Sequence, residues 1–366
     1  HIRFKLCYCH PICYCTIRPM MLVKFQARLW HWCIALASTQ CVMVRGNTVN
    51  MLASQAQVSI EKGDFDGALE KYGHMERIMG ETGAHESLDG AMLLDKIGRV
   101  HGLRRDLTSA LSFFERATAI HRKAGTHVTP ESAEVMMHKA NILGQQGDIR
   151  GALQVYEDAK MTVEEAGGFE TFLGANLEEK IGNAKGQLFD LSGALAAYQE
   201  AKRIMKKIKQ LNSPEGVDLL EYIGNAKGQQ YKFVEALDSY QEAANILKQI
   251  NKYETPKGAM LMEFIGNIKG QQLDLPGALS AFLEAEQIYE KSSADNMASR
   301  AAVLAAIGNI KGQQHDLVGA LEAYTTAKEY YDSAGMQAAI APGSSLLMAI
   351  ENVKAQQRYR SVHMNS

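Results

Sequence analysis

Residues 177–201 read LEEKIGNAKGQLFDLSGALAAYQEA, and closely similar stretches follow at regular intervals along the chain. Residues 219–243 read LLEYIGNAKGQQYKFVEALDSYQEA, residues 261–285 read LMEFIGNIKGQQLDLPGALSAFLEA, and residues 303–327 read VLAAIGNIKGQQHDLVGALEAYTTA. Each copy starts 42 residues after the one before it. A period of this length is typical of solenoids and other repeat arrays, so these copies decide the fold.

An Ala-Leu pair marks the same place in looser copies nearer the start of the chain. The alanines of these pairs are Ala68, Ala110, Ala152, Ala194, Ala236, Ala278 and Ala320. Every successive step between them is 42 residues. Because such regularity is not expected by chance, the sequence predicts seven tandem repeats.

Each repeat is predicted to contain two helices. In the second helix, Ala194, Leu195, Tyr198, Ala201 and Ile204 fall on one face at helical spacing. The equivalent positions in the neighbouring copies are also apolar, so this face is predicted to be core.

The first helix of the same repeat is predicted to run from about residue 175 to about residue 188, with Leu177, Ile181 and Ala184 on its apolar face. Three copies carry a capping hydroxyl followed by proline, which is a signal for a helix start: Thr129-Pro130, Ser213-Pro214 and Thr255-Pro256. No stretch after residue 50 has the alternation of a strand, so the fold class is predicted to be all-α.

This helix-turn-helix unit resembles the tetratricopeptide repeat. The resemblance is carried by Ile181-Gly182, the Asp190-Leu191 turn, and Ala194, Tyr198 and Ala201. It covers about residues 51–334, and the 42-residue period is similar to that of kinesin light chain-type arrays. It implies a right-handed α-solenoid of about seven repeats, in which the first helices line a concave groove that binds segments of partner proteins.

Paired glycines recur inside the first helix, as at Gly182 and Gly186. Each costs about 1 kcal/mol relative to alanine in a helix interior, so a compensating interaction is expected. The two residues lie one turn apart and form a smooth strip. We expect this strip to pack closely against Ala194 and Tyr198; the alternative is that it stays open for the backbone of a ligand.

A polar column follows the opposite side of the first helices, with asparagine and glutamine one turn apart and glutamate one turn before the asparagine. Its members are Asn141, Asn183, Asn225, Asn267, Asn309, Gln145, Gln187, Gln229, Gln271, Gln313, Glu179, Glu221 and Glu263. The resemblance implies that this column faces the groove.

Two interpretations of the polar column remain open. Amides both donate and accept hydrogen bonds, so the column is suited to the backbone of an extended peptide, and its carboxylates favour a basic ligand. Alternatively, each asparagine bonds the neighbouring repeat, or the column is simply hydrated. The family's carboxylate clamp needs Lys and Arg in this groove, so the tails of chaperones are poor candidates.

The start of the chain differs in composition from the repeats. Residues 1–60 hold six Lys or Arg and no Asp or Glu, and all six cysteines lie within residues 7–41. We therefore expect a leader of residues 1–50, a repeat superhelix of residues 51–343, and a partial eighth repeat with a tail at residues 344–366. The cysteine-free body fits a reducing compartment and a cytoplasmic location.

The leader has three interpretations. The run CYCHPICYC at residues 7–15 has the density of a metal site but not the usual spacing of zinc ligands. The run LWHWCIALA at residues 29–37 is too short to span a membrane and loosely matches a targeting segment. The third interpretation is a disordered or non-native stretch.

Sequence motifs for catalysis are missing: HExxH, GxSxG and CxxC do not occur. The acid pair Glu178-Glu179 is predicted to be solvated. The chain is therefore predicted to be no enzyme, with no catalytic residue, cofactor or metal site, and to bind a protein or peptide as a scaffold or adaptor.

Three alternatives to a peptide-binding scaffold remain for the repeat array. One is self-association through the last repeat, residues 346–357, and another is a cargo adaptor like kinesin light chains. The third, nucleic-acid binding, is disfavoured because residues 61–366 carry a net charge of −8.

Overall fold

The computed structural model describes residues 47–292, 296–341 and 343–363, and these residues form fifteen α-helices with no strand among them. The first helices of the repeats are α1 (47–61), α3 (Leu88–Leu103), α5 (Pro130–Gln145), α7 (Phe172–Gln187), α9 (Pro214–Gln229), α11 (Pro256–Gln271), α13 (Met297–Gln313) and α15 (Ser345–His363). The second helices are α2 (Phe65–Thr82), α4 (Leu107–Lys123), α6 (Ile149–Glu165), α8 (Leu191–Lys207), α10 (Phe233–Gln249), α12 (Leu275–Lys291) and α14 (Leu317–Ser333). The prediction of an all-α repeat array is confirmed.

The helices belong to two compact units, which divide between Asp106 and Leu107. In the first unit, α2 packs against α3, with a 3₁₀ turn at Ala84–Glu86 between them. In the second unit, every helix from α5 to α14 packs against the helix before it and the helix after it. This order of contacts is that of a solenoid, in which each repeat touches only its neighbours.

The core of each repeat in the second unit is built from the predicted apolar faces. Ala194, Tyr198, Ala201 and Ile204 of α8 are buried, and they lie in one continuous cluster with the equivalent residues of α10 and α12. The predicted core of the second helices is therefore confirmed.

The first glycine of the pair packs against an aromatic ring in four repeats, at Gly182, Gly224, Gly266 and Gly308, as predicted. A Cβ built on Gly182 would lie 2.6 Å from Tyr198 Cδ1, and one on Gly308 would lie 2.6 Å from Tyr324 Cδ1. The second glycine is different, because a Cβ on Gly186 would have its nearest neighbours 3.9 Å away, which is an ordinary contact. In this repeat, close approach thus requires glycine only at the first position, whereas a Cβ on Gly228 of the next repeat would meet Ile268 Cδ1 at 3.1 Å.

Side-chain caps begin most of the helices. Thr129 and Ser213 accept hydrogen bonds from the third backbone N–H of their helices, at 3.3 and 3.2 Å, as predicted. Thr255 does not: its hydroxyl donates to the carbonyl oxygen of Lys252 at 2.7 Å, and it makes no side-chain cap. Proline at the first position still begins α11, because its fixed φ suits a helix start.

The turn between the two helices of a repeat has one residue in the left-handed conformation. In the turn after α7, Phe189 has φ 63°, its N–H donates to Gly186 O at 3.0 Å, and the N–H of Asp190 donates to Lys185 O at 2.9 Å. This pair of bonds is the Schellman arrangement, which satisfies the last carbonyl groups of the helix. Asp190 then caps α8 by accepting from the N–H of Gly193.

The prediction that Glu178 is solvated is wrong. Its side chain is only 4% exposed, and its carboxylate lies 2.6 Å from Lys160 Nζ of α6. A buried carboxylate needs a partner of this kind because an isolated charge is costly to remove from water.

The described residues begin at residue 47, so all three interpretations of the leader fall outside them: the Cys- and His-rich run, the apolar targeting-like run, and the disordered or non-native stretch. None of the described helices has the length and apolar character needed to cross a lipid bilayer. At the other end, Leu346, Ile350 and Val353 of α15 are buried in a cluster with Leu317, Ala320 and Tyr324 of α14.

Candidate peptide-binding face

The asparagines of the polar column are held by tyrosines of the second helices. Tyr198 Oη donates to Asn183 Oδ1 at 2.7 Å. The same bond joins Tyr240 to Asn225 and Tyr324 to Asn309, both at 2.7 Å, and Tyr156 to Asn141 at 2.5 Å. In these four repeats both partners belong to the same repeat, so these bonds join the two helices of one repeat and not neighbouring repeats.

The hydrogen bond depends on a protonated phenol, and burial maintains that state. Burial raises the pKa of Tyr156 to about 12, and it also raises the pKa of Tyr198, Tyr240 and Tyr324. A neutral hydroxyl at the end of a buried ring therefore donates to the amide across the whole physiological pH range.

This bond sets the orientation of the amide. Because Asn183 Oδ1 accepts from Tyr198, its NH₂ group is the end left to donate to other groups. The same holds in the three equivalent repeats. The asparagines of α5, α7, α9 and α13 thus form a row of amide donors in one fixed orientation.

One repeat lacks this bond, because Phe282 stands where the others have tyrosine. Its asparagine, Asn267, is exposed. In this repeat a different tyrosine contacts the column: Tyr289 Oη donates to Glu263 Oε1 at 2.6 Å. Burial raises the pKa of Glu263, although the bond from Tyr289 acts in the opposite direction.

The glutamines of the column are open to solvent. Gln145, Gln187, Gln229, Gln271 and Gln313 are all exposed at the ends of their first helices. An exposed primary amide keeps both donors and its acceptor available to a ligand. The glutamines are therefore the members of the column with most freedom to bind.

The glutamates of the column already have partners within the protein. Glu179 lies 2.9 Å from Lys180 Nζ, and Glu221 lies 2.5 Å from Lys257 Nζ of the next first helix. Glu179 and Glu221 are therefore paired with lysines, and Glu263 accepts a hydrogen bond from the neutral hydroxyl of Tyr289. This arrangement weakens the argument for a basic ligand.

The first unit places different side chains at the corresponding positions. A cavity of about 500 Å³ is lined by Gln57 of α1, Tyr72 of α2, and Lys96 and Arg99 of α3, among others. Arg99 is 42 residues before Asn141, so it takes the asparagine position of the column. The polar column is therefore confined to the second unit. The alignment of the repeats in the sequence did not identify Arg99 as a candidate binding residue.

The tyrosine partner of the column was missed at the sequence level, although a signal was present. In four repeats a tyrosine lies 15 residues after the asparagine, as Tyr198 follows Asn183. The tyrosine was assigned to the core because its neighbours on the helix face are apolar. Helical periodicity does not predict which residue its hydroxyl group contacts.

Several solved structures have a similar fold. A signal-transduction ATPase with a tetratricopeptide-repeat sensor from Pyrococcus horikoshii matches 78% of this chain and 43% of its own, with 13% identity and a TM-score of 0.63. BtubC (BKLC) from P. vanneervenii matches 63% of this chain and 92% of its own, with 16% identity and a TM-score of 0.55. A kinesin light chain-like protein of P. anserina with nearly identical TPR-like repeats matches 57% and 97%, with 14% identity and a TM-score of 0.50. No protein-family model and no curated protein matches the sequence.

Proposed function

We propose, for a chain that folds as an array of tetratricopeptide-like repeats, the role of a non-catalytic scaffold that binds extended peptide segments of partner proteins. The observation that carries the proposal is the row of asparagines whose orientation is set by buried tyrosines. Orienting an amide before binding lowers the entropy cost of using it, which is expected of a recognition surface.

The ligand contacts follow from the free groups of the column. The amide NH₂ groups of Asn183 and Asn225 would donate to backbone carbonyl oxygens of the peptide, and the exposed glutamines would both donate and accept. Such contacts are to the backbone, so the proposal does not require one peptide sequence. Because lysines and a tyrosine already occupy the three glutamates, the proposal does not include a preference for basic ligands.

The test uses peptides selected from a random display library against the full chain. The variant Gln187→Ala/Gln229→Ala/Gln271→Ala should bind the selected peptides at least about tenfold more weakly, since each lost hydrogen bond contributes about 0.5–1.5 kcal/mol. The matched control is Gln199→Ala/Gln241→Ala/Gln287→Ala, which changes exposed glutamines of the second helices. Equal affinity of the two variants would contradict the proposal.

Asn267 separates binding from stability. Because Phe282 offers it no hydroxyl, Asn267→Ala should weaken peptide binding while leaving the unfolding midpoint unchanged. Asn183→Ala should lower both, since it also leaves the Tyr198 hydroxyl without its acceptor. If Asn267→Ala has no effect on affinity, Asn267 makes no contact with the peptide, and the proposal is contradicted at this position.

A further inference from the structure

Three consecutive turns of the second unit carry a large apolar residue that projects into solvent. Phe189, Tyr231 and Leu273 are 90%, 80% and 78% exposed, and each follows the first helix of its repeat. Their 42-residue spacing places them at the same point of three successive repeats, and we call them the turn ridge. The turn ridge lies at the ends of the first helices and is separate from the asparagine row.

The backbone at the turn ridge makes these side chains unexpected. Phe189, Tyr231 and Leu273 have φ of 63°, 60° and 63°, the left-handed region in which a Cβ is unfavourable. The equivalent residue one repeat earlier is Gly147, with φ 87°, which is the usual choice for this position. A bulky apolar residue here costs free energy both in backbone strain and in exposure to water.

A second unfavourable residue lies in the middle turn. Asp190 and Asp274 cap the helices that follow them, with Oδ1 accepting from Gly193 N at 2.9 Å and from Gly277 N at 3.0 Å. The equivalent residue beside Tyr231 is Lys232, which makes no cap. The exposed charges beside the turn ridge therefore alternate along it: negative at Asp190, positive at Lys232, and negative at Asp274.

The spacing between the turn-ridge residues favours one secondary structure for a bound partner segment. The first helices α7 and α9 are in contact, and packed helices usually lie about 8–10 Å apart, so we take about 10 Å as the spacing of successive turns. Seven residues of an α-helix rise about 10.5 Å, so side chains seven apart on one helix face match this spacing. In a β-strand about 10 Å is three residues, and the third residue points to the opposite face.

A polyproline helix also repeats at a similar distance, but it is bound in grooves lined by aromatic rings. The turn-ridge side chains project outward from turns, and they would contact the apolar face of a helix laid across them. Such a partner would explain both the exposed apolar residues in left-handed turns and the lysine that replaces a capping aspartate at residue 232.

We propose that the turn ridge binds an amphipathic α-helix of a partner protein. The helix has apolar residues seven apart that contact Phe189, Tyr231 and Leu273. It carries basic residues beside Asp190 and Asp274 and an acidic residue beside Lys232. This site goes beyond the binding of extended peptides along the asparagine row and does not depend on it.

The test uses a designed helical peptide of about 20 residues, long enough to reach all three turns. It has leucines seven residues apart, arginine beside the first and third leucine, and glutamate beside the second. We expect it to bind the full chain at least tenfold more tightly than a peptide with the same composition and the two kinds of charge exchanged. Fluorescence anisotropy of labelled peptide measures both affinities.

The matched variants separate a binding role from a structural one. Phe189→Gly/Tyr231→Gly/Leu273→Gly should reduce the affinity at least tenfold while its unfolding midpoint stays the same or rises, because glycine is favoured in this conformation. The control Met161→Gln/Leu283→Gln changes exposed apolar residues of α6 and α12 away from the turns and should bind as the original chain does. Lys232→Asp should restore the cap, raise the midpoint, and weaken binding of the designed peptide.

Three results would overturn the proposal. One is equal affinity for the two designed peptides, and another is a glycine variant that binds as tightly as the original chain. The third is a concentration-dependent dimer of the original chain that the glycine variant abolishes, since a second copy would then be the occupant of the turn ridge. Light scattering of both chains decides this last point.

Discussion

The ring of Tyr198 lies directly against Gly182, because a Cβ on residue 182 would stand 2.6 Å from Tyr198 Cδ1. The ring passes this glycine and places its hydroxyl on Asn183, the next residue of the same helix. A glycine in the interior of α7 and a polar residue beside it are thus both explained by one aromatic side chain of α8. In the sequence, the glycine and the asparagine are two unusual residues with no visible connection.

Gly182→Ala should destabilise the chain, since the added methyl group would overlap the Tyr198 ring. Overpacking of this kind costs about 1–3 kcal/mol, which exceeds the gain of about 1 kcal/mol in helix propensity. Gly186→Ala is the matched control, because its Cβ has room and only the propensity gain applies. Urea unfolding should therefore show a lower midpoint for the first variant and a higher one for the second; the same shift in both would contradict the packing.

Exchanging the aromatic residues tests the hydrogen bond to asparagine. Tyr198→Phe should cost about 1 kcal/mol, the usual contribution of one hydrogen bond. Phe282→Tyr should give a gain of similar size, because it supplies Asn267 with the hydroxyl that the other repeats have. Thermal unfolding of both variants measures this, and a loss of stability in Phe282→Tyr would show that the repeat cannot accommodate the bond.

The buried tyrosines should make the fold sensitive to alkaline pH. Burial raises the pKa of Tyr156 from 10.0 to about 12, so between these values the folded chain keeps a proton that the unfolded chain loses. The stability from this group is complete below pH 10 and is lost as pH rises towards 12, by up to about 1.4 kcal/mol per pH unit. Unfolding midpoints measured across this range should fall, and Tyr156→Phe should reduce the slope; an unchanged slope would exclude Tyr156 as a cause.

The ion pair between Lys160 and Glu178 should contribute more than the exposed pairs. Glu178 is buried, so Glu178→Ala removes the close partner of Lys160, leaving it only the pair with Glu164 at 3.8 Å, and should cost about 1–3 kcal/mol. Glu254→Ala removes the exposed pair with Lys291 and should change stability by less than about 0.5 kcal/mol. Chemical denaturation measures the free energy of unfolding of both variants. Comparable losses in the two would contradict this ranking.

Caps at the second helices should have additive, local effects. Asp190→Ala removes the bond to Gly193 N and should cost about 1 kcal/mol. Lys232→Asp should stabilise by a similar amount, since α10 begins without a side-chain cap. Far-ultraviolet circular dichroism during urea titration measures both midpoints. No gain from Lys232→Asp would mean that Lys232 has a structural role in its turn.

The predictions that succeeded were those that depend on spacing along the chain. The 42-residue period placed every repeat, and the apolar face of Ala194, Tyr198 and Ala201 identified the core. The caps at Thr129 and Ser213 also followed from local sequence, whereas Thr255 kept the same pattern without making the bond. Both Thr129 and Thr255 donate their hydroxyl to the carbonyl three residues earlier, but only the Thr129 oxygen also accepts the cap bond.

The sequence by itself determined that this chain is an array of two-helix repeats, because periodicity and local turn chemistry act between residues close together in the chain. Only the tertiary structure decided what the polar residues do. Asn183 is paired to a tyrosine 15 residues away, Glu178 is buried against a lysine of the preceding helix, and Phe189 projects into solvent from a turn that favours glycine. Each of these depends on where the ends of side chains lie when helices pack together. The spacing of residues along the sequence does not give the distances between side chains of different helices.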